Sequence, residues 1–417
     1  MFHRKDAVAL AVCSLLACAG VASAATSEAA PAITLDPSVV SLADAAPQGL
    51  LMQGLERIGV GKPLNDLGIN IYGHIQGGWL YNPNRSSGES NVGHTFTSNA
   101  GNHVLLNQVD LTFERVVDLK KFDVGGKIEV IYGTDGRYIH SYGWSLYDTD
   151  NLDSPYAQFD FVQAYVDVAI PVGNGLRVRA GKFVTLMGME TINPTTNAFY
   201  SHSMLFNYSI PFTHSGILLT YNWTDQLTTS FGVVRGNDVS PTKDNNGSVS
   251  FIGQVGFTPM KNLQAYFNFS VGPENFGDTG HYSQIYNFVA TYALTEQWSF
   301  GLDITTGFNS LGGGDSANWY GVALYSGYKI NDMMTFNARA EWFHDVGDTR
   351  FVIDPNTGAT LSSLGTAANE NYWEITLGLT VTPFPKDNLL KNLKLRPEAR
   401  YDFAEDSLYS GGSNKRP

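Results

Sequence analysis

From Ile69 onward the chain alternates polar and apolar residues with a period of two, and short connections alternate with long ones. Gln108, Asp110, Thr112 and Glu114 interleave with Val109, Leu111 and Phe113. Gln163, Tyr165 and Asp167 interleave with Val162, Ala164, Val166 and Val168. Glu374, Thr376, Gly378 and Thr380 oppose Trp373, Ile375, Leu377 and Leu379. Residues i and i+2 share a sheet face, so each segment has one oily and one polar face. A soluble sandwich gives the same alternation with its oily face turned inward, and the connections separate the two cases. Short turns fall at 117–121, 171–175, 222–226, 258–262, 294–297 and 329–333. Long polar loops fall at 82–102, 134–155, 186–214, 237–248, 272–282 and 344–371. An outer-membrane barrel segregates its connections in this way, with short turns inside and long loops outside. The expected fold is therefore all-β, an antiparallel transmembrane β-barrel spanning 67–417.

Composition fits that fold. Gly 43, Tyr 21, Phe 24 and Trp 7 accompany a charged fraction of only 16%. Outside the first residues, no run approaches the roughly 20 apolar residues of a membrane helix. Those first residues read as a signal peptide over 1–24: Arg4 and Lys5, an apolar stretch from Ala7 to Val21, then the cleavage site Ala22-Ser23-Ala24. Leu15-Leu16-Ala17-Cys18 is an imperfect lipoprotein box, and the later site matches better. Cys13 and Cys18 both lie in this leader, so the exported chain is expected to have neither disulfides nor thiolate chemistry. The formal net charge of -13 disfavours a nucleic-acid partner. No phosphate loop or His/Cys metal cluster appears, and no cofactor is expected. Residues 25–66 read as a flexible leader followed by a short amphipathic helix carrying Leu50, Leu51, Leu55 and Ile58, which would cap the barrel mouth or enter the lumen.

About fifteen strands can be counted between Ile69 and Phe403, whereas bacterial single-chain barrels carry an even number. About sixteen strands are therefore expected in the intact barrel, with the last missing from this sequence.

The segment 177–216 resembles a known family. It runs Arg177-Val178-Arg179-Ala180-Gly181-Lys182-Phe183, Gly188-Met189-Glu190, Asn193-Pro194-Thr195-Thr196-Asn197 and Tyr200-Ser201-His202-Ser203. It ends at Pro211-Phe212-Thr213-His214-Ser215-Gly216. These motifs are similar to those of the OmpL-like β-barrel porins, and the likeness extends from about Leu67 to the C-terminus. It implies an outer-membrane channel without naming a solute. It departs from the family pattern at the end, where a closing strand with a terminal aromatic residue would be expected.

A pore's selectivity lives in its lining. The polar phase places Lys127, Glu129, Arg177, Arg179, Asn337, Arg339 and Glu341 inward, with Lys394, Arg396, Glu398, Arg400 and Asp402 on the last strand. As a set, these charges predict a wet wall. The loop 186–214 follows the fifth strand, the position at which general porins fold a loop into the barrel. Glu190, Asn193, Asn197 and Tyr200 are expected to line a constriction facing Arg177 and Arg179, passing small polar solutes and ions. The partners are then outer-membrane lipid and those solutes, with a homotrimer expected by analogy. The alternative is a non-conducting structural or adhesive barrel. Asp135, Asp148, Asp150 and Asp153 offer carboxylates to Ca²⁺ without the spacing of an EF-hand loop, so no metal site is expected. Trp79, Trp144, Trp298, Trp342 and Trp373 read as membrane-interface anchors. His202, with Ser201 and Ser203, lacks a nucleophile-elbow pattern, and an enzyme is not expected.

Overall fold

The computed structural model describes residues 8–14, 49–83, 96, 103–143, 157–313, 315–346, 350, 352–354, 359–360 and 370–404. In chain order the strands are β1 (Val8–Ser14), β2 (Asn70–Tyr72), β3 (Ile75–Trp79), β4 (Val104–Arg115), β5 (Asp123–Gly133), β6 (Gln158–Ile170) and β7 (Leu176–Val184). There follow β8 (Thr213–Asn222), β9 (Leu227–Val234), β10 (Ser250–Met260), β11 (Leu263–Pro273), β12 (Tyr282–Ala293) and β13 (Trp298–Gly312). The last are β14 (Asp315–Asn331), β15 (Met334–Val346), β16 (Val352–Asp354), β17 (Ala359–Thr360), β18 (Glu370–Val381) and β19 (Arg396–Ala404). Two helices, α1 (Leu50–Arg57) and α2 (Gly61–Asp66), precede β2.

Apart from the small β16–β17 hairpin, the strands form one antiparallel sheet in which, from β3 to β19, each pairs with the next strand of the sheet along the chain. Counting β2 and β3 as one interrupted strand, fifteen strands lie between Asn70 and Ala404. The sixteenth is β1, which pairs with β19 from Val8↔Asp402 to Ser14↔Arg396. That strand comes from the segment read as a signal peptide, and among the described residues no pairing joins it to β2 or β3, so the sheet is not closed. The remaining leader residues lie outside the described set.

Alternation sets the two faces. On β4, Val104, Leu106, Val109 and Phe113 are exposed outward, while Asp110 and Thr112 are buried inward. Asn107 and Gln108 are both buried because the register slips opposite Gln76 and Gly77, and this bulge reverses the phase above it. A second slip, between Glu129 and Val130, turns Val162 inward, where it is fully buried. Simple alternation had placed Val162 on the oily outer face, and the bulge is the reason it is not there.

Aromatic residues gather at both rims, as amphipathic rings prefer the interface. Trp298 packs against Tyr328 and Phe300 at the short-turn end, and Trp373 stacks on Phe403 toward the long-loop end. Trp144 lies outside the described residues. The helix α1 meets β2 through Met52, whose sulfur accepts the Ile71 N–H at 3.3 Å. Of the apolar stripe, Leu50 and Leu55 are half-buried while Leu51 and Ile58 are exposed, and Met52 is the helix residue that is fully covered.

Candidate functional site

The connection between β7 and β8, residues 185–212, does not extend away from the rim. It turns into the barrel and meets the far wall. Through β8 to β14, seven strands separate β7 from β15, yet Glu190 of the loop lies 2.6 Å from Arg339 of β15. Arg339 also binds Glu374 of β18 at 2.8 Å, and it donates to the Ser201 carbonyl and hydroxyl. Sequence reasoning had set Glu190 opposite Arg177 and Arg179. The structure corrects this: a loop that crosses the lumen brings its charge to the opposing wall, not to the strand it leaves. Arg179 instead pairs with Asp167 at 2.9 Å and lies over the Tyr165 ring, its guanidinium carbon 3.6 Å from the centroid. Arg177 is on the same strand, one inward position closer to the short-turn end.

The loop is held mainly by its backbone. Glu398 accepts the N–H groups of Tyr200 (2.8 Å) and Ser201 (3.1 Å). Glu341 accepts those of Met204 and Leu205, both at 2.6 Å. Asp303 takes the Met189 N–H at 2.8 Å, and Asn287 takes that of Gly188 at 3.0 Å. Wall cations hold the carbonyls: Arg400 donates to His202 O, Arg396 to Pro194 O and Lys394 to Thr195 O. Hydrogen bonds with an ionised partner are among the strongest a protein makes, about 1.5–3 kcal/mol each.

Within the loop, the expected residues have distinct tasks. Asn193 accepts from the Thr195 N–H and hydroxyl, and Asn197 bridges the Thr191 N–H and carbonyl. The Tyr200 hydroxyl reaches Asn107 of β4 at 3.0 Å, while Glu398 of β19 holds its backbone N–H. Burial would raise the Glu190 carboxyl, but Arg339 and the Ser203 N–H outweigh it and hold the group below its ordinary value. Burial pushes the His202 imidazole down to about 4, against the pull of nearby Glu190. His202 therefore sits neutral, stacked on Phe206 with centroids 4.3 Å apart.

Apolar side chains fill the space around this polar frame. Met187, Met189, Ile192, Phe199, Tyr200 and Leu205 of the loop join one buried cluster that includes Ile131 and Val162 on one wall and Trp319, Phe343 and Tyr372 on the other. Glycines on the strands make room for it. A Cβ on Gly78 would fall 2.1 Å from the Tyr200 ring, and one on Gly321 would fall 2.5 Å from Leu205. Gly378 likewise faces the Phe199 ring.

The expected wet wall is thus largely dry at this level. Arg339, Glu341, Arg396, Glu398 and Arg400 are all buried, sealed by the loop they bind. Toward the short-turn end of β5, Lys127 is only half-buried and pairs with Glu129 at 2.9 Å, which also accepts from Gln163. Asp135, considered above for a cation, is buried and accepts from Gln108 at 2.9 Å. Asp148, Asp150 and Asp153 fall outside the described residues. Sequence reasoning missed Asp303 and Asn287 as loop partners and Glu374 as the wall partner of Arg339, although the polar phase contained them. The missing signal was which segment they would meet.

A family model described as "Putative beta-barrel porin-2, OmpL-like" matches residues 68–417. The chain belongs to this family. The porin family places the protein in the outer membrane, and its barrel is the membrane-spanning unit. No curated protein matches the sequence. Solved structures with similar folds include the outer membrane channel DcaP of Acinetobacter baumannii, with TM-score 0.48 and 11% identity over 81% of this chain and 96% of that one. The anion-selective porin from Comamonas acidovorans gives 0.48 and 10% over 80% and 99%. OprB of Pseudomonas putida gives 0.46 and 11% over 84% and 97%. None of these three reaches a TM-score of 0.5, and the family match alone carries the assignment.

Proposed function

We propose that this porin gives passive passage to small polar solutes and ions, through a lumen narrowed by the loop 185–212. The observation that carries this reading is the grip of Arg339 on Glu190 together with Glu341 and Glu398 on the loop backbone. Charges built into a barrel wall to hold a loop at mid-lumen serve a constriction. A solid structural barrel would fill its interior more cheaply with apolar side chains, since burying ion pairs rarely stabilises more than hydrophobic packing does. The passage in this reading follows the side of the lumen away from β15–β19, where Lys127 of β5 and Arg177 of β7 are partly exposed while their neighbours Glu129 and Arg179 are buried. Rings and pairs of charge of this kind favour polar over apolar solutes.

The second reading, a non-conducting barrel, draws on the apolar cluster that joins both walls through the loop. Ion conductance across a planar bilayer separates the two. Refolded protein should give stable steps proportional to salt concentration, and a salt gradient gives the sign of selectivity. Protein that inserts in folded form and never conducts would reject the channel.

A further inference from the structure

We propose that Glu341 and Glu398 are the positioning residues of the constriction, and that they fix the loop 185–212 across the lumen through its backbone. This rests on the channel reading above and deepens it. Each carboxylate accepts two consecutive backbone N–H groups: Glu398 those of Tyr200 and Ser201, Glu341 those of Met204 and Leu205. Wall arginines hold the carbonyls between them, Arg339 that of Ser201 and Arg400 that of His202, while the Ser203 N–H goes to Glu190 of the loop itself. The stretch 200–205 is thus fastened through both its donors and its acceptors by β15 and β19, which lie on either side of β18.

Backbone capture has a specific consequence. A side-chain contact can be lost by substituting the loop, but a peptide N–H is present whatever the loop residue is, proline excepted. The location of the constriction is therefore encoded in the wall, and the loop is free to set the shape of the opening. The alternation phase supports the same division. Glu341 and Glu398 occupy inward positions on their strands, flanked by outward Ala340 and Ala399, so neither can be turned to lipid without a register change. Each is buried, at 4% and 6% exposure, and each is committed to the loop backbone. A carboxyl group in such a place is tolerable only while its hydrogen-bonding capacity is filled. The strand glycines add a steric register: Gly321 admits Leu205 at the end of the fastened stretch, and Gly378 admits Phe199 just before it.

The test is the double variant Glu341→Ala plus Glu398→Ala, with Glu341→Gln plus Glu398→Gln as its isosteric companion. Folding is checked by heat-modifiable gel mobility in detergent. Single-channel conductance in planar bilayers is then compared with wild type. Loss of both anchors should release the loop and raise the unitary conductance by about twofold or more, with noisier open levels, because the loop no longer occupies a fixed cross-section. The glutamine pair keeps one acceptor oxygen per site and should fall between the two, a graded response that general destabilisation of the barrel would not produce. If the alanine pair folds and conducts at the wild-type level, the positioning role is overturned. If the alanine pair fails to fold, the glutamine pair decides on the same criterion. Should wild type itself never conduct while both variants open, the positioning role stands and the resting channel is closed. Should none of the three conduct, both this inference and the channel reading fall.

Discussion

At the residue scale, the arrangement turns on Arg339, which faces two carboxylates and is fully buried. Removing one partner of a buried ionic group costs about 3–5 kcal/mol, because the remaining charge stays desolvated. Arg339→Ala strands both Glu190 and Glu374, so a loss in that range is expected in urea titrations of the refolded protein. Glu190→Gln, which keeps a hydrogen-bond acceptor for the arginine, should lose less. His202 supplies a pH dependence at the same place. Its folded value near 4 lies below the ordinary 6.5, so the unfolded or undocked state binds the proton more readily. Docking free energy from His202 is complete above pH 6.5 and declines as pH falls from there toward 4. A pH series of stability should show this decline in wild type and a flatter profile in His202→Gln across the same window. If the two profiles coincide, His202 contributes nothing to loop docking. Residues of this kind were only half legible in the sequence. The polar phase assigned Arg339, Glu341 and Glu398 to the interior, but a phase gives a direction and not a partner. The pairing of Glu190 with Arg339 depends on how far the loop reaches, and reach is a tertiary property.

At the element scale, the strands were legible because period-two alternation survives any tertiary context. What the pattern concealed were the bulges. Gln108 and Val162 each sit where the register slips, and a single extra residue reverses every side chain beyond it. The loop 185–212 is the opposite case: it has no period, and its place follows from the walls. The glycine positions sharpen that point. Gly78 and Gly378 face Tyr200 and Phe199, and strand interiors otherwise disfavour glycine. Gly78→Val should drive the Tyr200 ring out of its seat and break its hydrogen bond to Asn107, with a cost of about 1–3 kcal/mol from overpacking. Gly54 on α1, where an added Cβ meets nothing within 4 Å, is the comparison. Its replacement by alanine should be neutral or slightly stabilising in the same urea titration. An indifferent Gly78→Val would mean that the ring is not seated as described.

At the scale of the whole molecule, two different solvents divide the structure. The inner face carries charge that would be unaffordable outside, while the outer face carries Ile304, Leu324, Phe336, Ile375 and Leu377 in a continuous exposed band. In water that band would drive aggregation. In a bilayer it is the ordinary surface of the protein, and the same residues become the source of stability. The alternation alone did not make the class of fold legible, since a sandwich shares it; the segregation of short turns from long loops did. The oily outer band also yields a prediction that does not depend on the loop. Leu324→Arg places a charge on the lipid face of β14, across from Ala340 and away from both rims. It should cost about 2–4 kcal/mol in phospholipid vesicles. Ser230→Arg, directed inward on β9 where Thr220 now shares its hydroxyl contact, should cost less, because lumen water can hydrate the guanidinium. The ordering of the two is the informative quantity. If the inward arginine proves the more damaging, the lumen beside β8 and β9 is packed dry, and solute passage would have to follow the wall of β5 and β7 alone.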